Sequence, residues 1–178
     1  TGQRRKGANT GDWRAFALYY DDWRNVVKTD NRTAAVRAGD LTSIRVWTLG
    51  AHYVNVTATP IGKLDTLGEF AVQVGSWGRQ QQRAAMVDLE AGLQPPVLKK
   101  LQPWIRGGYY FGSGDGNPND NKHGTFFQVL PTPRPYARFP FFNMENLEDR
   151  FGMLTLKPHK RLTFRFEEHS LRLAKATD

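Results

Sequence analysis

Long stretches in which apolar and polar residues alternate constrain the fold of this chain more than any other feature. Between residues 64 and 74, the even positions hold Leu, Thr, Gly, Phe, Val and Val, whereas the odd positions include Asp65, Glu69 and Gln73. Successive side chains of a β-strand point to opposite faces of its sheet. The segment is therefore predicted to be a strand with one apolar and one polar face.

The same reasoning predicts seven strands, at 13–20, 44–58, 64–74, 83–93, 101–111, 151–156 and 161–173. Segment 83–93 also allows a helix, because its Ala, Met, Leu and Glu residues are good helix formers. A strand fits better, because its neighbours then form one continuous meander. Residues 1–11 are basic and glycine-rich, and they are expected to form a loop.

The connections between these strands alternate in length. Three are short, at 59–63, 94–100 and 157–160, and three are longer, at 21–43, 76–82 and 112–150. In an up-and-down meander every second connection lies at the same end of the strands. One end is therefore expected to carry the short connections and the other end the long ones. Outer-membrane barrels are built in this way, with short periplasmic turns and long external loops.

Strand length supports the same interpretation. A transmembrane strand needs about 9–11 residues, whereas strands of globular proteins are mostly about 5–6 residues long. We therefore predict an all-β fold, an antiparallel up-and-down transmembrane β-barrel, as a single region spanning 1–178. Bacterial single-chain barrels have an even number of strands, so seven strands indicate a portion of a larger barrel.

Composition narrows the class of protein. No run of about 18 apolar residues occurs in the 178 residues, which excludes a transmembrane helix. The formal charge of +8 and the pI near 9.9 favour a polyanionic partner, such as nucleic acid, anionic lipid or acidic polysaccharide. The absence of cysteine excludes disulfides and cysteine-bound metals.

The segment 112–150 combines turn formers with aromatic residues. Gly112, Gly114, Gly116 and Pro118 exclude a regular element at its start. Further along are four prolines and five phenylalanines, at Pro131, Pro133, Pro135, Pro140, Phe126, Phe127, Phe139, Phe141 and Phe142. So apolar a segment is expected to be an ordered loop, either external or folded inward.

Two adjoining runs within and before this loop carry a family resemblance. Residues 103–120 read Pro-Trp-Ile-Arg-Gly-Gly-Tyr-Tyr-Phe-Gly-Ser-Gly-Asp-Gly-Asn-Pro-Asn-Asp, and 123–144 read His-Gly-Thr-Phe-Phe-Gln-Val-Leu-Pro-Thr-Pro-Arg-Pro-Tyr-Ala-Arg-Phe-Pro-Phe-Phe-Asn-Met. With the shorter segments at 19–24, 28–32, 75–78 and 169–174, they resemble the alginate export family of outer-membrane β-barrels. The resemblance implies a large monomeric barrel in a Gram-negative outer membrane, whose arginine-rich lumen passes a polyuronate outward.

Arginine suits the passage of a polymer that carries one carboxylate per sugar, because its planar fork pairs with carboxylates in a bidentate manner. Rings of fixed charge also set the ion selectivity of pores. On the predicted polar faces, Arg106 and Arg165 are expected to point into the lumen. Arg45 lies near a strand end, and Arg134 and Arg138 lie in the aromatic loop, where they would contact the polymer if the loop folds inward.

A structural role for these arginines stays open. They could pair with Asp88, Glu90 and Glu167 in an internal network of ion pairs. The aromatic residues are similarly ambiguous, because they fit either sugar stacking or an interfacial girdle. This set comprises Trp13, Trp47, Tyr53, Trp77, Trp104, Tyr109 and Tyr110.

Other chemistry is weakly supported. Asp115, Asn117 and Asn119 resemble a calcium loop, but the place of the closing glutamate of an EF-hand holds Phe126, and turn chemistry explains them equally well. Dispersed histidines offer no zinc-like spacing, and no other cofactor is expected. Nothing assembles a nucleophile with a base, so the chain is not expected to be an enzyme.

The leading interpretation is an outer-membrane channel for an anionic polysaccharide, such as an alginate-like polyuronate, or a related anionic solute. Its expected partners are that solute and outer-membrane lipid. The alternative is a soluble all-β module that binds carbohydrate or polyanions. A nucleic-acid binder is disfavoured because no recognition module is present, and a uronate lyase would need a convergent Tyr, His and Arg site.

Overall fold

The computed structural model describes residues 1–7, 9–129 and 144–178 as an all-β chain with one short helix. Within these ranges the elements are β1 (Gly2–Lys6), β2 (Asn9–Asp22), α1 (Ala34–Ala38), β3 (Ile44–Thr59), β4 (Gly62–Trp77), β5 (Gln80–Gln94), β6 (Trp104–Gly112), β7 (Lys122–His123), β8 (Leu147–His159) and β9 (Leu162–Leu173). Helix α1 has five residues, and no helix in the described ranges has the length and hydropathy that crossing a membrane requires.

The strands form a single sheet in the order β1-β2-β3-β4-β5-β6-β8-β9, and each strand on this path is antiparallel to its neighbours. Strand β7 adds to β5 in parallel, through Gln81 and Gln82. Within the described residues the sheet does not close on itself, since β1 and β9 are its two edges. The predicted all-β antiparallel meander is confirmed, and an open sheet is consistent with a portion of a barrel.

All seven predicted strand segments lie in or overlap observed strands. The ambiguous segment 83–93 lies inside β5, which pairs with β4 on one side and β6 on the other. The strand interpretation is confirmed there, because pairing on both edges outweighs the helix propensity of single residues. Strand β6 begins at Trp104, so residues 101–103 belong to the preceding connection.

Two predictions about connections were wrong. Residues 2–6 form a strand rather than a loop, since β1 pairs with β2 from Gly2 opposite Trp13 to Lys6 opposite Asn9. The connection at 76–82 is also short, because β4 continues to Trp77 and β5 begins at Gln80. Of its polar residues, Gln80 and Gln82 are strand residues whose side chains are buried on the polar face.

The two faces of the sheet differ in chemistry. One face, called the apolar face below, leaves large hydrophobic side chains exposed, with Phe70, Leu89 and Ile105 each more than half exposed at 54–56%. The opposite face, called the polar face, buries Asp65, Gln73, Gln82, Asp88 and Asp149. A soluble sheet shows the reverse arrangement. Exposed hydrocarbon of this extent fits the lipid-facing side of a membrane sheet.

The two ends of the strands also differ. The short-turn end carries the connections that follow Lys6, Thr59, Gln94 and His159. The loop end carries 23–43, the turn at 78–79, and 113–146, of which 113–129 and 144–146 are described.

The hydrophobic core lies on the polar face near the loop end. One cluster contains Ala71, Ala84, Met86, Tyr110, Phe126 and Leu147, and a second contains Ile44, Val46 and Trp77 with Phe127 packed against it. Phe126 and Phe127 come from the loop after β6, so the described part of that loop lies against the polar face. The aromatic side chains of the loop thus cover the sheet residues of these clusters, as a second sheet would in a two-layer fold.

Candidate functional site

Many of the charged side chains of the strands, including Asp65, Asp88, Glu90 and Arg106, lie on the polar face. The antiparallel register brings Asp65, Gly92, Arg106 and Met153 into one row across β4, β5, β6 and β8. Side chains on the same face of neighbouring strands lie about 5 Å apart, so residues of such a row can form hydrogen bonds. This row and its neighbours define the candidate site.

Arg106 is at the centre of the site and is bound by two carboxylates. Its guanidinium pairs with Asp65, and its Nη2 and Nε atoms lie 2.6 and 2.7 Å from Glu90 Oε2. Trp104 donates its indole N–H to Asp65 Oδ1 at 2.8 Å, and its ring centroid lies 5.5 Å from the Arg106 guanidinium carbon. The Arg106 side chain is 16% exposed, so part of it remains accessible.

Gly92 makes room for this arrangement. It lies between Asp65 and Arg106 in the register, and a Cβ atom at position 92 would lie 2.6 Å from both Asp65 Oδ1 and Trp104 Nε1. Real Cβ contacts are not that short. The lack of a side chain at Gly92 therefore permits Trp104 and Arg106 to reach across β5 to Asp65.

Arg165 lies on the same face, two strands away on β9. It pairs with Glu167, the next residue on its side of the strand, and its side chain is 43% exposed. The neighbouring pair Glu167 and Met153 continues the row that contains Arg106. Arg106 and Arg165 therefore share the polar face, each with a carboxylate partner from that face.

The other predicted arginines are placed differently. Arg45 lies on the apolar face near the loop end, where its Nε is 3.7 Å from Asp21 Oδ1 and its side chain is 61% exposed. Arg134 and Arg138 lie outside the described residues. The structure therefore brings Arg106 and Arg165 together on one face and sets Arg45 on the other.

The two faces divide the aromatic candidates as well. Trp77, Trp104 and Tyr110 lie on the polar face, where Trp77 and Tyr110 are buried. Trp13, Trp47, Tyr53 and Tyr109 lie on the apolar face, and the first three are about half exposed. Of the described aromatic residues considered for sugar stacking, Trp104 is the one next to Arg106.

The loop after β6 is attached to the polar face by two glutamines. Gln73 donates from Nε2 to the Phe127 carbonyl at 2.6 Å and accepts the Phe127 N–H at 2.9 Å. Gln82 donates to Gln73 Oε1 at 3.1 Å and to the Thr125 carbonyl at 3.0 Å. Both glutamines are 1% exposed, so the loop shields them from solvent.

His123 adds a third attachment. Its Nδ1 lies 2.6 Å from Gln82 Oε1, an acceptor, so the neutral ring carries its proton on Nδ1. The ring stacks on Trp77 with centroids 4.5 Å apart and an interplanar angle of 5°. Burial lowers the pKa of His123 to about 4, so the ring is neutral at neutral pH.

Asp40 connects two segments at the loop end. Its carboxylate accepts from Arg32 Nη1 and from Arg79 N, both at 2.9 Å, and from Thr42 N at 3.2 Å. Burial raises the pKa of Asp40, but these three donors outweigh burial and leave the pKa at about 2. The carboxylate thus ties the 23–43 loop to the β4–β5 turn.

The calcium candidates serve as turn acceptors. Asp115 Oδ1 accepts Asn117 N–H at 3.0 Å, and Asn117 Oδ1 accepts Asn119 N–H at 3.1 Å. Burial raises the pKa of Asp115, and the neighbouring carboxylates of Asp120 and Asp178 act in the same direction. Among the described residues, no three His, Asp or Glu side chains converge as a metal site. A calcium ion here stays a prediction.

Sequence reasoning missed Asp65, Trp104 and Gly92 as partners of Arg106, and Gln73, Gln82 and His123 as the loop attachment. Alternation does place Gln73 on the polar face of segment 64–74, but Gln82 falls in the predicted connection 76–82. Alternation does not indicate which distant segment these side chains contact, since Gln73 and Phe127 are 54 residues apart.

A comparison with protein families decides the identity of the fold. The family model described as alginate export matches residues 2–178 of the chain. The chain belongs to the alginate export family. No curated protein and no solved structure matches the chain.

Family membership and the observed sheet indicate the same class of protein. The family consists of outer-membrane β-barrel proteins that export polysaccharide, a transport family rather than an enzyme family. An antiparallel sheet with one exposed apolar face and one buried polar face fits such a barrel. As a family member, the chain contributes to a polysaccharide export channel.

Proposed function

We propose that the protein passes an anionic polysaccharide, with a polyuronate as the substrate class, through a lumen lined by the polar face. The protein would act as a monomeric barrel in the outer membrane of a Gram-negative bacterium. The observation that carries the proposal is the position of Arg106, a largely buried but still accessible cation beside Trp104 on the face opposite to the exposed hydrocarbon.

The ion pairs of Arg106 suit transport better than tight binding. A lone guanidinium and a carboxylate 4 Å apart attract each other by about 4 kcal/mol at an effective dielectric constant of 20, which would retain a polymer bearing many carboxylates. Asp65 and Glu90 offset that attraction. A polymer carboxylate can exchange with one of these partners and then leave, as conduction requires.

Trp104 and Arg165 extend this path. Trp104 presents an indole ring beside the Arg106 guanidinium, which suits the apolar faces of a sugar ring next to its carboxylate. Arg165, whose side chain is 43% exposed, offers a second cation on the same face. A path with spaced cations and an aromatic surface lets successive sugars bind weakly.

The soluble carbohydrate-binding alternative is less compatible with the sheet. Such a module would leave Phe70, Leu89, Ile105 and Phe166, all more than half exposed, in contact with water. A phase-partition assay separates the two functions. The channel requires detergent or lipid to stay dispersed, whereas a soluble module stays in the aqueous phase without either.

Single-channel conductance in planar bilayers tests the proposed function. Oligouronate should block the wild-type current reversibly, and a neutral oligosaccharide of equal length should block much less. In Arg106→Lys, which keeps the charge but loses the fork, block should weaken several-fold. Arg45→Lys, on the apolar face, is the matched control and should behave as wild type.

A second variant guards against misfolding. Removing Arg106 alone leaves Asp65 and Glu90 without their cation, so the triple change Arg106→Gln, Asp65→Asn and Glu90→Gln replaces all three charged groups with neutral side chains of similar shape. If wild-type channels conduct without any block by oligouronate, or if the triple variant is blocked as strongly as wild type, the proposed role of Arg106 is wrong.

A further inference from the structure

Positive charge is concentrated at the short-turn end of the sheet. The segments 1–11, 59–64, 94–103 and 156–163 contain nine lysines and arginines and no aspartate or glutamate, namely Arg4, Arg5, Lys6, Lys63, Lys99, Lys100, Lys157, Lys160 and Arg161. The formal charge of the whole chain is +8. The remainder of the chain is therefore close to neutral, and the charge asymmetry lies along the strand direction.

These nine cations, called the basic rim below, form no ion pair with the part of the chain that the structure describes. All nine are exposed. The loop end differs, because Arg24 pairs with Asp22 at 2.7 Å and Arg32 pairs with Asp30 at 2.7 Å. The charge of the basic rim is therefore available to a ligand.

The chemistry of the basic rim favours loose capture over specific binding. Six of its nine residues are lysines, whose hydrated ammonium groups act as point charges without the planar fork of arginine. Exposed charges act over about 8 Å at physiological ionic strength, so cations on neighbouring turns reinforce one another. A flexible polyanion is attracted to these charges in many different conformations, and no single bound conformation is strongly favoured.

The basic rim also lies close to the polar-face cations. Asp65, the partner of Arg106, is three residues from Gly62 in the β3–β4 turn. At about 3.3 Å per residue, this separation is about 10 Å. A polymer held at the basic rim therefore lies within a few sugar lengths of Arg106.

We propose that the basic rim is a capture surface at which an anionic polysaccharide enters the channel. The inference rests on the proposed function, because it assumes that the lumen conducts a carboxylated polymer. In outer-membrane barrels the short turns face the periplasm. The basic rim therefore concentrates the polymer on the periplasmic side. The described part of the loop end carries nearly equal numbers of cations and anions, so it has no matching excess of positive charge that would hold the polymer as it leaves.

The positions of the cations favour a polymer over anionic lipid. Within the basic rim, Arg4 and Lys6 lie on the apolar face near Trp13, which is the position that suits contact with lipid headgroups. Lys99 and Lys100 lie instead in the long turn beyond the strand ends, and Lys160 lies in the β8–β9 turn. Cations in turns beyond the strand ends lie outside the stretch of exposed hydrocarbon on the apolar face, where a solute can reach them.

The decisive experiment is side-specific block of single channels formed by the full chain. Because the sequence contains no cysteine, Ile61→Cys in an exposed turn reports by impermeant labelling which side carries the short turns. Oligouronate is then added to one side at a time. We expect a blocking on-rate about tenfold higher from the short-turn side, falling steeply as salt is raised.

The rim variant combines Lys99→Gln, Lys100→Gln and Lys160→Gln. It should lose most of the side preference while its conductance and the lifetime of each block stay near wild type. The control combines Arg24→Gln, Lys122→Gln and Lys175→Gln, three exposed cations of the loop end, and should keep the preference.

The outcomes separate the two proposals. Absence of block from either side contradicts the proposed function. Equal block from both sides, or a preference that survives in the rim variant, contradicts the capture surface and leaves the proposed function intact. A rim variant whose only change is weaker binding to phosphatidylglycerol vesicles assigns the basic rim to lipid, and this also overturns the inference.

Discussion

Gln73 acts toward Phe127 as a neighbouring strand would. Its side-chain amide donates to the Phe127 carbonyl at 2.6 Å and accepts the Phe127 N–H at 2.9 Å, so one side chain satisfies both backbone groups of a loop residue. Buried backbone groups need such partners. Gln73 therefore fixes the position of Phe127, and with it the loop after β6, on the polar face.

Replacing Gln73 with leucine should release this loop. The Phe127 backbone groups and the Gln82 amide would lose their partners, at a cost of about 1–3 kcal/mol for each buried group left unpaired. Limited proteolysis of the folded protein should show faster cleavage within 113–129. Gln81→Leu, on the exposed side of β5, is the control and should leave the cleavage rate unchanged.

Replacing Gly92 with alanine should disrupt the Arg106 site without changing any charge. The added Cβ would lie 2.6 Å from Asp65 Oδ1 and Trp104 Nε1, so Trp104 and Asp65 must separate. We expect a lower melting temperature and several-fold weaker oligouronate block. Gly152→Ala is the matched control, because a Cβ at position 152 meets nothing within 4 Å. Equal effects of the two changes would contradict the packing role of Gly92.

Attachment of the loop should depend on pH through His123. Burial lowers the pKa of His123 to about 4 in the folded protein, from about 6.5 in an unfolded chain. The unfolded or released state thus binds the proton more readily, so the stabilisation is complete above about pH 6.5 and declines as pH falls toward 4. The rate of proteolysis within 113–129 should rise over that range.

His123→Phe supplies the control for this pH dependence. It keeps a ring that can stack on Trp77 but cannot bind a proton, and it also loses the hydrogen bond to Gln82. Its cleavage should be faster than wild type at pH 7 and nearly flat between pH 7 and 4. A wild-type slope that persists in this variant would show that another group controls the loop.

Charge on the apolar face should prevent membrane folding. Phe70→Arg places a guanidinium where the structure exposes hydrocarbon, and arginine on the lipid face near the midplane costs about 2–4 kcal/mol. Folding into lipid vesicles, measured by heat-modifiable migration on gels, should fall. His52→Arg is the control on the polar face, where the new cation can pair with Glu69, which lies 3.1 Å from His52. Equal loss of folding in both variants would contradict the assignment of the faces.

The alternation of side chains predicted seven of the observed strand segments and which of their faces is polar. It identified segment 64–74 with its apolar and polar sides, and it placed Arg106 and Arg165 on polar faces, where the structure has them. This success has a local cause. The two-residue period of a strand is a property of the backbone itself, so a few consecutive residues suffice to show it.

Only the tertiary structure decided what these residues contact. The carboxylate partners of Arg106 come from β4 and β5. The hydrogen-bond partner of the Phe127 backbone, Gln73, is 54 residues away in the sequence. Residues 2–6 are a strand because they pair with β2. Such contacts depend on strand register and on loop closure between distant segments. Local sequence carries little information about either one, because many partners would satisfy the same side chain equally well.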